Sequence, residues 1–578
     1  MCGIFALLNN ENGVSQHFEK QFIGDQFMKG VGRGPEYSSI NNIGHQVIFG
    51  FHRLAINGLD PNSNQPIQND NISLICNGEI YNYKELYAQL NIDPNTQSDC
   101  EVIIHLYKRF GMERTLQLLD GVFAFVLLDY DINSETSKLF VARDPFGVRP
   151  LYFLHPATDD SNHQQIYGFA SELKCLNEFY RNMQDYEIKH ILPGTYSTFE
   201  KRFTVSANWK LVKESQKYHI PSVISNQYFV LDYENELNHW IPILQNQLVQ
   251  AVEKRCMTTE RPIACLLSGG LDSSLITALV NDFHKRNGLP VLETYSIGLE
   301  GSVDLQYASI VSDYLGTKHT EIVLTEEDFL RVIPEVIEKI ESYDTTTVRA
   351  SIGNYLLGKH ICKHSKAKVI FNGDGSDELT GGYLYFHKAP NAVEFDLECR
   401  RLLDDIHLYD VLRSDKSIST HGLEPRTPFL DREWVQTYLS IPSEFRFHSQ
   451  HNKCEKHLLR SAFSKYLNCE GMNILPDVVL WRTKEAFSDG VSKTSRSLYE
   501  IIQEHVSKTY IPTIPKQNYS HNTPKTMEQE YYREIFESRY DGLGKIVPYF
   551  WMPRFIEASD ASARTLSIYN TIQNNGTM

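Results

Sequence analysis

The chain has 578 residues, of which 41% are hydrophobic, 22% charged and 12% aromatic. This is too long for one core and predicts two or more globular domains. A formal net charge of −16 argues against nonspecific nucleic-acid or anionic-membrane binding. No apolar run is long enough to span a bilayer, no basic region followed by a long apolar core opens the chain, and ten scattered cysteines form no Cys-x-x-Cys pair. A cytoplasmic protein with reduced thiols and no structural zinc site is therefore expected.

The first 190 or so residues read as short strands. "QVIFGFHRLAI", "ISLICNGEIYN", "VFAFVLLDY", "LFVARDPFGVRPLYFL" and "IYGFASEL" are rich in β-branched and aromatic residues and are separated by turn residues. One helix is predicted at "SDCEVIIHLYKRFG", capped by Ser98 or Asp99 and ended by Gly111. Runs of strands with few helices predict an α+β layered sandwich. A mixed polar stretch follows, so the domains are expected at 2–195 and 236–550, with a linker at 196–235 and a C-terminal tail at 551–578.

From about residue 236 strands and helices alternate. "NELNHWIPILQNQLVQAVEKRCM" has helical apolar spacing; "IACLL" is a short apolar strand; "LITALVNDFHKR" is helical; "LETYSIGL" is a strand. "TEEDFLRVIPEVIEKIES" opens with the capping pattern Thr325-x-x-Asp328 and carries Pro334 near its middle. "KVIFNGDGSDELTGG" runs from a strand into an acidic glycine loop. The alternation predicts an α/β doubly wound parallel sheet with ligands at the carboxyl ends of its strands. His360 and His364, four apart on a predicted helix with no third ligand nearby, read as packed or solvated histidines.

The string "SGGLDSS" follows a predicted strand directly. Gly269 and Gly270 let backbone N–H groups turn towards a ligand, and Ser268, Ser273 and Ser274 add hydroxyls. A helix starting near Ser274 points its positive end at the same spot. A glycine turn with a helix cap would account for Gly-Gly alone, but the full string describes a cradle for an anion such as pyrophosphate. It lacks the Gly-Lys-Ser/Thr ending of a Walker loop. Asp272 beside phosphates makes sense with a bridging divalent cation, and Asp377 of the second acidic loop offers the other carboxylate; Mg²⁺ is the expected ion.

Cys2 follows Met1 directly. With Met1 removed, its α-amine, of unperturbed pKa roughly 8, would accept the thiol's proton near neutral pH. Arg53 suits an α-carboxylate, Asn77 and the Gly78 N–H suit an oxyanion, and Asp99 suits an α-ammonium. Each has a bland reading as surface arginine, turn or cap. Together they describe hydrolysis of an amino-acid amide, glutamine above all.

The segments "MCGIFAL", "HRLAI", "NGEIYNY", "SDCEVI", "GVFAFVLLD" and "ARDPFGVRPLY" resemble the N-terminal-nucleophile glutamine amidotransferase domain. "LLSGGLDSS", "TTTVRAS", "NGDGSDELTGGY", "LEPRTPFLD" and "WRTKEAFSDG" complete a resemblance to the glutamine-hydrolysing asparagine synthetase family, reaching to about residue 550. The resemblance implies an αββα glutaminase domain followed by an ATP-pyrophosphatase synthetase domain. It implies that aspartate, ATP and glutamine become asparagine, AMP, pyrophosphate and glutamate, with ammonia passing internally. Cys2, Arg53, Asn77, Gly78, Glu79 and Asp99 would form the glutamine site. Ser268, Gly269, Gly270, Asp272 and Ser273 would hold pyrophosphate, with Gly373 and Asp374 beside them; Leu266 and Ile297 would flank adenine; Thr346, Arg349 and Lys484 would act near the activated aspartyl group and the phosphates. A homodimer is a further expectation of the family. One departure stands out: this chain has Asp374 where the family reads Glu, one methylene longer.

Three other readings compete. A β-lactam-synthetase-like ligase would not need an intact Cys2. A catalytically decayed regulatory paralogue would not keep chemically sensible residues at every motif position. Sugar- or ribosyl-transferring amidotransferases lack the "SGGLDSS" half.

Overall fold

A computed structural model describes residues 1–10, 17–130, 136–158, 165–202, 207–219, 232–485, 487–493, 496–514 and 519–569. Contacts divide the chain into two units. The first is Met1–Ile220 with Thr258–Arg261 and Ser419–Leu423; the second is Pro221–Met257, Pro262–Ile418 and Glu424–Met578.

The first unit contains β1 (Gly3–Leu8), β2 (Tyr37–Asn42), β3 (Val47–Arg53), β4 (Ile67–Asn69), β5 (Ile72–Ile80), β6 (Gly121–Asp129), β7 (Thr136–Arg143), β8 (Tyr152–Pro156), β9 (Tyr167–Ala170), β10 (Tyr186–His190), β11 (Thr195–Arg202) and β12 (Lys210–Lys217). They form two six-stranded sheets in the orders β10-β8-β9-β1-β3-β2 and β12-β11-β7-β6-β5-β4, all neighbours antiparallel.

Side-chain alternation explains the layering. On β6, Ala124, Val126 and Leu128 join Ile4, Ala6 and Leu8 of β1 and Phe49 and Phe51 of β3 in one core between the sheets. Phe123, Phe125 and Leu127 point the other way, into a core shared with Leu86 and Leu90 of the helix Tyr83–Leu90 and Ile103 and Leu106 of the helix Val102–Phe110. On the far side of the first sheet, Phe5 meets Phe27 of the helix Lys20–Met28 with ring centroids 6.1 Å apart. The layers run helix, sheet, sheet, helix. The helix predicted after Ser98 is present: Ser98 accepts from the Cys100 N–H, and Gly111 ends it at φ 75°.

The second unit carries β13 (Ile263–Leu266), β14 (Glu293–Leu299), β15 (Lys318–Leu324), β16 (Val369–Phe371) and β17 (Glu424–Arg426), all parallel, in the order β15-β14-β13-β16-β17. The chain steps outward from β13 to β15, then returns to β16 on the other side of β13. That reversal opens a crevice at the carboxyl ends of β13 and β16, where doubly wound sheets bind ligands.

Four expectations need correcting. The stretch 196–235 is not a linker throughout: β11 and β12 pair across it up to Lys217 because Phe199 and Trp209 are needed in the inter-sheet core. Residues 220–231 of the same stretch lie outside the described residues. The stretch 551–578 is not a loose tail, since Trp551, Leu566, Ile568 and Tyr569 pack with Tyr385, Phe386 and Phe395; "NTIQNNGTM" lies outside the described residues. Pro334 does not sit inside one helix. The capped helix Glu326–Arg331 stops at Val332, and Ile333–Ile340 starts anew with Pro334 in its first turn, where a missing N–H costs nothing. The helix after "SGG" begins at Leu271 rather than near Ser274, which puts Asp272 in its first turn. Among the described residues no helix is long and apolar enough to cross a membrane.

Phe199 of β11 meets Phe153, Tyr167 and Phe169 of the facing sheet at centroid distances of 6.0, 5.1 and 5.5 Å. Phe199→Ala is expected to destabilise the first unit by about 3–5 kcal/mol. Urea unfolding checks this; a loss below about 1 kcal/mol would mean that the two sheets do not share that core.

Candidate active sites

In the first unit, strand alternation places the candidate residues at one end of the inter-sheet layer. Cys2 continues the Ile4–Ala6–Leu8 face of β1, Arg53 continues the Phe49–Phe51 face of β3, and Asn77 and Glu79 continue the Ile75 face of β5. Cys2 is half-buried and its thiol lies 3.7 Å from the Leu54 carbonyl. Met1 beside it is 1% exposed. Arg33 donates from Nε to the Cys2 carbonyl at 2.9 Å and pairs with Glu172 at 2.8 Å, which fixes the start of β1.

Asn77 is fully buried and donates from Nδ2 to the Ser171 hydroxyl at 3.4 Å; the same hydroxyl accepts from the Ile4 N–H at 3.1 Å. Ser171 thus ties the end of β5 to the strand that follows Cys2. The Asn77 Oδ1 is buried with no hydrogen-bond partner among the described residues. Asp99 accepts from the Ile80 N–H at 2.7 Å, and Glu79 accepts from Asn57 at 2.5 Å.

Two residues of this site also have structural roles. Arg53 donates to the Asp60 carbonyl at 2.9 Å, the Asn64 side chain at 2.7 Å and the Gly58 carbonyl, so it organises the 57–64 loop. Gly78 lacks a side chain because β6 leaves no room: a Cβ there would lie 2.3 Å from the Val122 carbonyl oxygen.

In the second unit, the loop after β13 is held by its own serines. Ser268 and Ser273 hydroxyls lie 3.0 Å apart, Ser273 Oγ accepts from the Ser268 N–H at 3.2 Å, and Ser268 Oγ accepts from the Gly270 N–H at 3.4 Å. Gly269 has φ 72°, and a Cβ there would lie 2.5 Å from the Ala308 nitrogen. The pocket at the strand ends is lined by Leu266, Ser268, Gly270, Asp272, Ser273, Ile297, Thr346, Gly373, Asp374, Asp377 and Lys484. Eleven residues picked from widely separated motifs therefore share one cavity.

Two lysines bind the two acidic loops together. Lys456 Nζ lies 2.5 Å from Asp272 Oδ2 and 2.6 Å from Asp377 Oδ1, and Lys484 Nζ lies 2.6 Å from Asp377 Oδ2 and 3.6 Å from Asp272. Ser376 donates to Asp272 Oδ1 at 2.8 Å. Burial alone would raise the pKa of Asp377, but Lys456 and Lys484 outweigh it and hold the carboxyl well below its ordinary range. For Lys484 the burial effect is overcome by Asp377 and Asp272, which push its pKa up. Both groups therefore stay charged near neutral pH.

One cation, the Lys456 ammonium, already touches both carboxylates, so these hard oxygen donors fit a divalent ion such as Mg²⁺. Among the described residues no cluster of three or more His, Cys, Asp or Glu forms a closed ligand set. An ion here would draw its other ligands from phosphates and water, as Mg²⁺ commonly does.

At the far end of the cavity, Arg413 donates to Asp410 at 2.9 Å and to Asp374 at 3.3 Å. Burial raises the Asp374 pKa, Arg413 pulls it back, and Asp410 pushes it up again. Glu378 beside them is pushed well above the usual range by burial, then by Asp410 and Asp377, and accepts from the Tyr383 hydroxyl at 2.5 Å. Burial thus favours the neutral form of Asp374 and of Glu378, of which Asp374 lines the cavity.

A family model described as a glutamine amidotransferase domain matches residues 1–216, and one described as asparagine synthase matches residues 244–399 and 390–551. The glutamine-hydrolysing asparagine synthetase of Gallus gallus is 40% identical, with 99% of each chain covered. This chain belongs to the glutamine-hydrolysing asparagine synthetase family. The Homo sapiens and Mus musculus enzymes of the same description are 40% and 39% identical, again with 99% of each chain covered.

Two residues that the family resemblance assigned to the second site do not line its cavity: Gly269, which packs against Tyr307 and Ala308, and Arg349. Arg349 is 2% exposed and is held by Glu528, at 2.8 and 2.6 Å, and by Asp560, at 2.7 and 2.9 Å. Conversely, the family motifs quoted from the sequence passed over Lys456, Arg413, Asp410 and Ser171. Lys456 sits in "HNKCEKHLL", a mixed polar stretch without glycine or periodicity, and nothing local marks it. Arg413 and Asp410 are three apart on the helix Asp410–Ser419, a spacing common to solvated helix pairs.

Gly382 reports on this arrangement: a Cβ there would lie 2.0 Å from Lys456 Cε and 2.3 Å from Asp377 Oδ1. Gly382→Ala should lower aspartate-dependent ATP–pyrophosphate exchange by at least about tenfold, as displacing a charged group in a reacting site does, while glutamine hydrolysis is kept. Unchanged exchange would show that Lys456 does not need its present place.

Proposed function

We infer that the chain is a glutamine-hydrolysing asparagine synthetase. It makes asparagine from aspartate, with ATP as the activating co-substrate and the glutamine amide as nitrogen source. The observation that carries this reading is the convergence of the serine loop, Asp272, Asp377 and Lys484 in one cavity, in a chain that also gathers Cys2, Arg53 and Asn77 at the end of one layer.

At the first site Met1 must leave before Cys2 has a free amine. The amine then takes the thiol proton and the thiolate attacks the glutamine side-chain carbonyl carbon. Negative charge develops on the carbonyl oxygen, where the Asn77 Nδ2 and the Gly78 N–H are the candidate donors. Collapse breaks the C–N bond, ammonia leaves, and water releases glutamate from the thioester. Arg53 supplies positive charge for the substrate α-carboxylate, and Asp99, with Glu79 near it, negative charge for its ammonium.

At the second site an aspartate β-carboxylate oxygen attacks the α-phosphorus of ATP and pyrophosphate leaves. Ser268, Gly269, Gly270 and Ser273 cradle that pyrophosphate and Lys484 offsets its charge, while Leu266 and Ile297 form the apolar wall for adenine. Mg²⁺ bound by Asp272 and Asp377 would neutralise phosphate charge. Ammonia then attacks the acyl carbon, AMP leaves, and Asp374, alongside Gly373, is the candidate acceptor for the proton ammonia sheds. Thr346 lies on the wall facing the acyl group.

The test is product analysis with amide-labelled glutamine, aspartate and MgATP. Label is expected in asparagine, with one AMP and one pyrophosphate formed per asparagine. Cys2→Ala should lose glutamine-dependent synthesis and keep synthesis from added ammonia. Label-free asparagine, or exchange of ATP with pyrophosphate that does not need aspartate, would overturn the reading. Asp374→Glu, which restores the family's longer side chain, should retain synthesis; asparagine formed per glutamate released checks this.

A further inference from the structure

Arg349 lies on the helix Thr345–His364 three residues beyond Thr346, yet its side chain leaves the cavity. Two buried carboxylates hold it, from Glu528 and Asp560, and its guanidinium stacks over the Tyr499 ring at 4.9 Å. One positive charge facing two negative ones in a buried place carries a desolvation cost, so these contacts are weak evidence for added stability. Asp560 belongs to the C-terminal segment, and several of that segment's other contacts lead back towards the cavity walls.

The segment's first anchor is at Trp551. Its N–H donates to Asp344 Oδ1 at 2.7 Å, and the other oxygen of Asp344 caps the Thr346 helix by accepting from the Thr347 N–H at 2.9 Å. Beyond Asp560 come contacts to the stretch that follows Lys484. Ser562 donates to Asp489 at 2.9 Å; Arg564 donates to the Lys493 carbonyl at 2.8 Å and to the Asp489 carbonyl at 3.0 Å; Tyr569 donates to Glu485, which lines the cavity. Trp551, Leu566, Ile568 and Tyr569 supply the apolar contacts that keep the segment down.

We propose that residues 551–569 form a strap that sets the position of Lys484 against the Thr346 helix, with Asp560 and Arg564 as positioning residues for the adenylation step. The strap joins the two walls between which a nucleotide phosphate would lie. Arg349 is its fixed post and Asp560 its clasp. Arg564 holds the backbone downstream of Lys484, so the ammonium reaches Asp377 and, with substrate bound, the phosphates. This inference rests on the second-site reading given above.

The test uses the full chain and three variants. Arg564→Ala removes two charge-assisted hydrogen bonds to backbone carbonyls together with the 3.7 Å approach to Glu485, and should raise the KM for MgATP in aspartate-dependent ATP–pyrophosphate exchange by about tenfold. The kcat should stay within about threefold, and the amides of 487–493 should exchange with deuterium about tenfold faster. Asp560→Asn should lower exchange more strongly, and Asp560→Glu should restore most of it. Glutamine hydrolysis should be unchanged in all three. Wild-type MgATP KM and wild-type amide protection in Arg564→Ala would overturn the proposal, and that variant decides alone should Asp560→Asn not fold. Deuterium exchange reads the strap without any substrate, so its result stands even if aspartate proves not to be the acceptor.

Discussion

Like charges from two strand ends meet at the second site, and their compensation governs everything around them. Asp272 and Asp377 come from the first helical turns after different strands, β13 and β16, and would repel one another across the crevice. Lys456 and Lys484 cancel that repulsion, and each belongs to a segment far away in sequence. Four charged groups from four segments thus lock the crevice with no net charge among them. The serine loop, the acidic loop and the loop carrying Lys484 are placed by this one arrangement. Phosphates entering it would exchange partners with the carboxylates rather than meet an unbalanced field.

Much of this was legible in the sequence, for a physical reason. Arg53 and Asn77 lie on strands and Cys2 directly precedes one, and a period of two fixes the face of every strand residue, so placing the strands places the side chains. The serine loop was legible because a strand, two glycines and a helix start leave little freedom. Arg349 and Lys456 show where such reading ends. Arg349 is on a helix face beside the cavity face, and which way its long side chain turns depends on Glu528 and Asp560, about 180 and 210 positions further along. Lys456 contributes only because Gly382 gives its stem room. Neither dependency leaves a local mark.

The domain boundaries failed for a related reason. The polar stretch after residue 196 reads as a connector, since Lys210–Lys217 is an edge strand whose side chains are mostly solvated and carry no apolar alternation. Lysines on an edge strand also discourage pairing with other chains. The C-terminal stretch looked loose because its anchoring residues, Trp551, Leu566, Ile568 and Tyr569, have neither helical nor strand spacing. They pack as irregular chain against aromatic rings already in place.

The alternation along β6 carries a consequence for how this chain can vary. Its odd- and even-numbered residues feed two different cores, one between the sheets and one beneath the helices. Gaining or losing a single residue within that strand would send phenylalanines into slots shaped for alanine and valine, and the reverse, in both cores together. Length changes in this half of the molecule are therefore confined to its hairpin ends, or come in steps of two.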